Sequence, residues 1–171
     1  MNVEALIREI RDFPKPGIGY KDITPLLADG EALRWIVDRF AERYRGNVDA
    51  VIGVESRGFL IGAPVAVALG VGLGVVRKPG KLPHDTHAVR YDLEYGSDEL
   101  EIHVDALAPG ARVVVMDDLL ATGGTAAAAL ELVGKLDAVV VEAAFLIELA
   151  FLGGAEKLRP SQTYSLIRYD S

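Results

Sequence analysis

Apolar side chains near the amino terminus recur every three or four residues. This spacing predicts a short first helix that ends near Phe13, because prolines and glycines at residues 14–19 forbid its continuation. A second helix is predicted over residues 33–44, with Asp29 as its amino-terminal cap and Gly46 as its stop. A rigid loop therefore separates two helices at the start of the chain.

Beyond residue 50, short apolar runs alternate with helical patterns. The runs predict strands at residues 50–54, 73–76, 112–116 and 138–145 and an edge strand at 164–167, and the patterns between them predict helices at 59–69 and 125–136. Strands of nearly continuous apolar composition that alternate with helices are typical of a parallel sheet covered on both faces. We therefore predict an α/β fold, doubly wound, with a mainly parallel sheet and helices on both faces, in a single domain over residues 1–171.

One stretch interrupts this alternation. Residues 89–93 and 100–104 alternate polar and apolar side chains around the turn sequence YGSD, which predicts an antiparallel hairpin. Its polar, glycine-bearing character suits a segment that covers a site and excludes water. Residues 78–104 are therefore predicted to form a flexible hairpin lid.

The composition excludes several classes of partner and site. The net charge of −7 repels a polyanion, and the one dense basic run, Arg77, Lys78 and Lys81, suits a small anion better than a duplex, so nucleic acid is not an expected partner. There are no cysteines, which excludes disulfides, thiolate zinc sites and a cysteine nucleophile and fits a cytoplasmic location. The apolar runs are too short to span a bilayer, so no membrane association is expected.

The segment with the clearest chemistry is VVVMDDLLATGGT at residues 113–125. A buried strand would deliver the carboxylates of Asp117 and Asp118 at its carboxyl end, where open α/β sheets bind their ligands. The small-residue loop that follows opens a helix, so its amides and the hydroxyls of Thr122 and Thr125 can hold an anion. Carboxylates that accept from a diol, beside a loop that holds a phosphate, describe a ribose 5-phosphate site. Local sequence alone also allows the acid pair to be a turn or a helix cap.

The acid pair and the Thr-Gly-Gly-Thr loop resemble the phosphoribosyl pyrophosphate (PRPP) signature of the type I phosphoribosyltransferases. Further motifs in the same order extend the resemblance over nearly the whole chain, towards the members that use adenine: FPKPGIGYKDITP at 13–25, ESRGF at 55–59, RKPGKLP at 77–83 and LEYG at 93–96. The resemblance implies that adenine and PRPP give AMP and pyrophosphate, with Mg²⁺ as cofactor, in a homodimer. An enzyme for hypoxanthine, guanine or xanthine and a PRPP-sensing regulator are the alternatives.

The resemblance assigns adenine recognition to the first 30 residues, a segment that we call the hood. Residues 17–21 are expected to read the base, largely through main-chain groups of Gly19 and Lys21, with Tyr20 between them. Lys21 stands where many relatives have arginine. A main-chain role would tolerate this difference, whereas a stacking role would not, because the lysine ammonium has no planar face.

The resemblance also assigns the remaining substrate-binding and catalytic residues. The expected PRPP-binding set is Arg57, Arg77, Lys78, Lys81, Asp117, Asp118, Ala121, Thr122, Gly123, Gly124 and Thr125. Mg²⁺ is expected to be carried mainly by PRPP, near Asp117, and the Glu55–Ser56 peptide bond is expected to be cis. Glu94 is the expected proton carrier for the purine, with Tyr95 closing the site, although a glutamate near a hairpin turn is often only a solvated charge.

Overall fold

The structure, a computed structural model, describes residues 1–93 and 96–171. It divides the chain into two compact units, Met1–Phe40 and Ala41–Ser171. In the first unit, strands β1 (Arg8–Ile10) and β2 (Tyr20–Asp22) form an antiparallel ribbon that is followed by helix α1 (Thr24–Ala28). Helix α2 (Gly30–Tyr44) begins in the first unit and ends in the second. Asp29 caps α2 as predicted, because its Oδ1 accepts the amides of Glu31 and Ala32 at 3.0 Å.

The predicted amino-terminal helix is wrong. A single 3-10 turn, Val3–Leu6, is followed by β1, whose residue Glu9 lies opposite Lys21 in the ribbon. The backbone of β1 thus takes its hydrogen-bond partners from a later strand. Short apolar periodicity carries no information about that partner, and tertiary pairing overrides it.

The second unit contains the strands β3 (Ala50–Val54), β4 (Gly72–Val76), β5 (Thr86–Asp92), β6 (Ser97–His103), β7 (Arg112–Leu120), β8 (Val139–Leu149) and β9 (Thr163–Tyr169). Within the described residues, five of them form a parallel sheet in the order β4-β3-β7-β8-β9. Helix α3 (Arg57–Leu69) leads from β3 to β4, and helix α4 (Gly124–Lys135) leads from β7 to β8 in the opposite direction along the sheet. Because such connections are right-handed, the two helices cover opposite faces. The predicted doubly wound sheet is confirmed.

An antiparallel hairpin is confirmed, as the pair β5–β6, but each strand begins three residues earlier than predicted, so Ser97 and Asp98 lie in β6 and not in the turn. Its residues Val89, Leu100 and Ile102 are buried in one hydrophobic core with α4 and with the face of the sheet that carries Ile52 and Val113. The base of the hairpin is therefore held by apolar packing. The lid role of residues 78–104 stays a prediction.

Two further differences affect the site. Strand β7 continues to Leu120, four residues beyond the predicted end at residue 116, because β8 runs alongside and pairs with it as far as Glu148. After β8, a 3-10 turn leads into a short helix, α5 (Gly154–Lys157), which the apolar pattern does not predict. In the described parts of the chain, no helix has both the length and the apolar character needed to cross a membrane.

Candidate active site

The strand order reverses between β3 and β7, and both strands end at the same edge of the sheet. Open α/β sheets bind ligands outside the carboxyl ends of the strands at such a point. A cavity of about 290 Å³ lies there. Its lining comprises Glu55, Ser56 and Arg57 after β3, Lys78 after β4, and residues 117–126 from the end of β7 to the first turn of α4.

The acid pair forms part of the cavity wall. Asp118 is only 4% exposed, and Arg57 Nε lies 3.1 Å from its Oδ2. Burial raises the pKa of Asp118, although the guanidinium of Arg57 opposes this rise. Burial, and then the like charge of Asp118, raise the pKa of Asp117 well above its ordinary value. Carboxyl groups whose pKa is raised by desolvation at a cavity wall are typical of functional sites.

The glycine loop has the geometry of an anion cradle. Gly123 has a φ of +83°, and a Cβ on it would lie 2.8 Å from the carbonyl oxygen of Gly154, so a larger residue would be both strained and obstructed. The first amides of an α-helix have no partner within the helix, so those at the start of α4 are available to an anion. The predicted loop residues, Ala121, Thr122, Gly123, Gly124 and Thr125, all line the cavity.

Of the four predicted basic residues, two line the cavity and two do not. Arg57 and Lys78 line the cavity. Arg77 instead donates through Nε to Glu55 Oε2 at 3.0 Å, and Lys81 is an exposed residue of the loop that follows. Burial would raise the pKa of Glu55, but the Lys78 amide and the Arg77 guanidinium hold it below its ordinary value. The Glu55–Ser56 peptide bond is cis, as expected.

The predicted base-reading residues lie in the first unit. The loop before β2 is closed on itself, because Asp12 Oδ1 accepts the amide of Gly17 at 2.7 Å and the Ile18 carbonyl accepts the amide of Phe13 at 3.2 Å. Lys21 Nζ lies 3.4 Å from Glu9 Oε2. The ring of Tyr20 packs edge-on against Phe13, with 5.1 Å between centroids. The rigidity predicted for this loop thus has a hydrogen-bonding basis.

Two predicted residues, Glu94 and Tyr95, lie outside the described residues, and their roles stay predictions. The structure adds residues that the sequence did not single out. Lys157 on α5 places Nζ 3.8 Å from the position of a Cβ on Gly124, and Tyr91 lies 3.3 Å from the hydroxyl of Thr125. A lone lysine beyond the motif carries no local signal.

Comparison with known proteins agrees with this geometry. The phosphoribosyl transferase domain matches residues 21–167, and the chain belongs to that family. Within it, the adenine phosphoribosyltransferase of Roseiflexus sp. (strain RS-1) is 59% identical over 169 residues, which are 98% of each chain.

Solved structures of adenine phosphoribosyltransferases share the fold of this chain. The structure from Thermoanaerobacter pseudethanolicus superposes with a TM-score of 0.95 at 50% identity, covering 98% of both chains. The Saccharomyces cerevisiae enzyme, complexed with adenine and D-2,5-dideoxy-2,5-imino-altritol 1,6-bisphosphate, superposes with a TM-score of 0.91 at 39% identity, covering 96% of both.

Proposed function

We propose that this protein is an enzyme that transfers the ribose 5-phosphate unit of PRPP to adenine and releases AMP and pyrophosphate. The cavity in the second unit carries the proposal, because one wall combines the acid pair of β7 with the glycine loop at the start of α4. Carboxylates suit the ribose diol, and a helix start suits the 5′-phosphate. Adenine as the acceptor is supported by the similarity to enzymes named for that base.

The proposed reaction exchanges one bond at C1′ for another. The N9 lone pair of adenine attacks C1′, the bond from C1′ to the pyrophosphate oxygen breaks, and its electron pair leaves on pyrophosphate. The purine gives up one ring proton, for which Glu94 is the proposed carrier. Arg57 and Lys78, which line the cavity, would stabilise the negative charge that develops on the leaving group. No covalent nucleophile is required.

Mg²⁺ is the proposed cofactor. Within the described residues no cluster of three or more His, Cys, Asp or Glu side chains could hold a metal by itself. Magnesium commonly binds through one or two carboxylates and the phosphates of a substrate, and the carboxylate of Asp117 at the cavity wall fits that pattern. Asp117, together with oxygens of PRPP, would hold the ion, which supplies positive charge to the departing pyrophosphate when bound.

Adenine recognition is assigned to residues 17–21 of the first unit. Because the amides of Gly17 and Ile18 are used inside the loop, at 2.7 Å and 3.2 Å, recognition is expected to use main-chain groups from Gly19 onwards. A site that pairs with the 6-amino edge leaves a 6-oxo purine mispaired. Such mispairing can discriminate by about 10⁴-fold.

The assembly and the location of the enzyme are proposals as well. The homodimer that the resemblance implies would cover the two exposed apolar side chains of α3, Leu60 and Val67, which are 50% and 82% exposed. Light scattering coupled to gel filtration would measure its mass. The cytoplasmic location stays a prediction from the sequence.

The direct test is AMP formation from adenine and PRPP in the presence of Mg²⁺, with hypoxanthine, guanine and xanthine as competing acceptors. The proposal expects turnover of adenine and little inhibition by the three 6-oxo purines. Comparable turnover of hypoxanthine would shift the assignment to another purine. PRPP binding without turnover of any purine would favour a PRPP sensor instead.

A further inference from the structure

A chain of hydrogen bonds connects two residues of the cavity lining from outside the cavity. The hydroxyl of Tyr91 lies 3.3 Å from Thr125 Oγ1 and 3.3 Å from Asp98 Oδ2. The same oxygen of Asp98 is paired with the ammonium of Lys78. Thr125 and Lys78 line the cavity, whereas Tyr91 and Asp98 are not among the described residues that line it. Tyr91 and Asp98 thus link Thr125, in the first turn of α4, to Lys78, after β4.

Chemistry sets the direction of proton donation along this chain. The ammonium of Lys78 holds the pKa of Asp98 below its ordinary value, so this carboxylate only accepts hydrogen bonds. The single proton of Tyr91 therefore goes to Asp98, and the hydroxyl of Thr125 must donate to the Tyr91 oxygen. The Thr125 proton and the Lys78 ammonium are consequently both engaged within the protein.

The inner pair is held firmly by the fold. Tyr91 and Asp98 are directly opposite each other in the register of β5 and β6. The ring of Tyr91 packs against the core cluster that contains Val89 and Leu100. A hydroxyl on a packed ring loses little side-chain entropy when it bonds to its cross-strand neighbour, unlike a pair of long exposed side chains.

We propose that Tyr91 and Asp98 are positioning residues that couple the phosphate end of the cavity to the pyrophosphate end. This inference rests on the proposed function. A phosphate that accepts the Thr125 proton breaks the bond to Tyr91, and Tyr91 then donates less strongly to Asp98. Because Tyr91 and Lys78 donate to the same oxygen of Asp98, that carboxylate then holds the ammonium of Lys78 more tightly. A pyrophosphate competes with Asp98 for this ammonium, so the two ligands bind with negative cooperativity.

The test compares the affinity for magnesium pyrophosphate with and without saturating ribose 5-phosphate, by isothermal titration calorimetry. Wild type should bind pyrophosphate about three- to tenfold more weakly when ribose 5-phosphate is present, the scale of one hydrogen bond. In Tyr91→Phe, which keeps the packed ring, and in Asp98→Asn, the ratio of the two affinities should move at least threefold towards one. Asp98→Asn should also bind pyrophosphate more tightly by itself, because Lys78 loses an internal competitor.

Glu99→Gln is the matched control, because it removes one negative charge from the neighbouring position of β6. It should keep the ratio of the wild type. Equal ratios in wild type, Tyr91→Phe and Asp98→Asn would overturn the inference while leaving the proposed function intact. Failure of the wild type to bind either ligand would contradict the proposed function, and the inference with it.

Discussion

The Nε atom of Arg57 lies 3.1 Å from Oδ2 of Asp118 and joins the segment after β3 to the end of β7. That carboxylate oxygen is buried and accepts no hydrogen bond within the described part of the chain. The cation of Arg57 therefore offsets part of the cost of burying this charge, although burial still raises the pKa of Asp118. The same two residues line the cavity proposed for PRPP, so stability and binding are linked there.

Removal of the Arg57 side chain should lower the free energy of unfolding only while Asp118 is charged. Arg57→Ala should lower the free energy of unfolding by about 1–3 kcal/mol, less than for a fully buried pair because Arg57 is a third exposed. The same substitution in an Asp118→Asn background should cost less, which urea denaturation of the four proteins would measure. Equal costs in both backgrounds would show that the pair is not coupled.

Asp118→Asn by itself should weaken PRPP binding. The expected loss is about 1.5–3 kcal/mol, the scale of a hydrogen bond to a charged group. Calorimetric titration with PRPP would measure it beside Asp117→Asn. Unchanged affinity in both variants would exclude the acid pair as the ribose site.

The ionised carboxylate of Asp117 should lower the free energy of unfolding at neutral pH. Folding raises its pKa, so ionisation in the folded state costs stability; the cost is absent below the unfolded pKa of about 3.9 and grows as the pH rises above it. Asp117→Asn should therefore match wild type near pH 3.5 and exceed it by about 1 kcal/mol or more near pH 7. Denaturation across that range would test the sign. The exposed Asp105→Asn controls for the loss of one charge.

Replacement of Gly123 should impair stability and PRPP binding, whereas replacement of Gly134 should not. Gly123→Ala would place a Cβ 2.8 Å from the Gly154 carbonyl at a φ of +83°. The loop must then shift, with an expected loss of about 1–3 kcal/mol of stability and a KM for PRPP at least about tenfold higher. Gly134→Ala in the same helix meets no atom within 4 Å and should add up to about 1 kcal/mol without changing KM. A normal KM in Gly123→Ala would exclude the cradle.

Lys157 should assist phosphate binding. Its ammonium adds positive charge at the start of α4, an arrangement that becomes favourable once an anion binds. Lys157→Ala should raise the KM for PRPP by about three- to tenfold with a smaller change in kcat, and Lys157→Arg should restore most of the loss. Lys135→Ala, at the other end of α4, is the control. Equal KM values in Lys157→Ala and wild type would show that α5 supports the loop and does not bind phosphate.

Glu94→Gln should reduce kcat by about 10² to 10⁴ and leave PRPP binding nearly unchanged. The substitution removes proton exchange but not the phosphate loop. Rate measurements across pH, together with PRPP titration, would separate the two effects. A variant with wild-type kcat at every pH would show that Glu94 is only a surface charge of the hairpin.

Local pattern was sufficient for much of this protein. The five strands of the sheet, helices α3 and α4, the existence of the hairpin, and the acid pair followed by a glycine loop were predictable. The reason is that these signals are local. The period of apolar residues, glycines and capping residues each determine the structure of one helix or strand and its ends. The cap at Asp29 shows this, since donor and acceptor lie within three residues of each other.

Only the tertiary structure decided contacts between residues that are distant in the sequence. The first strand formed where a helix was predicted because Arg8 pairs with Asp22, and β7 reached Leu120 because β8 continues beside it. Lys157 reached the start of α4 through the packing of α5 against the loop, where a Cβ on Gly154 would lie 2.3 Å from the Ala121 carbonyl. Such partners are set by chain closure and packing, which no periodicity along the sequence encodes.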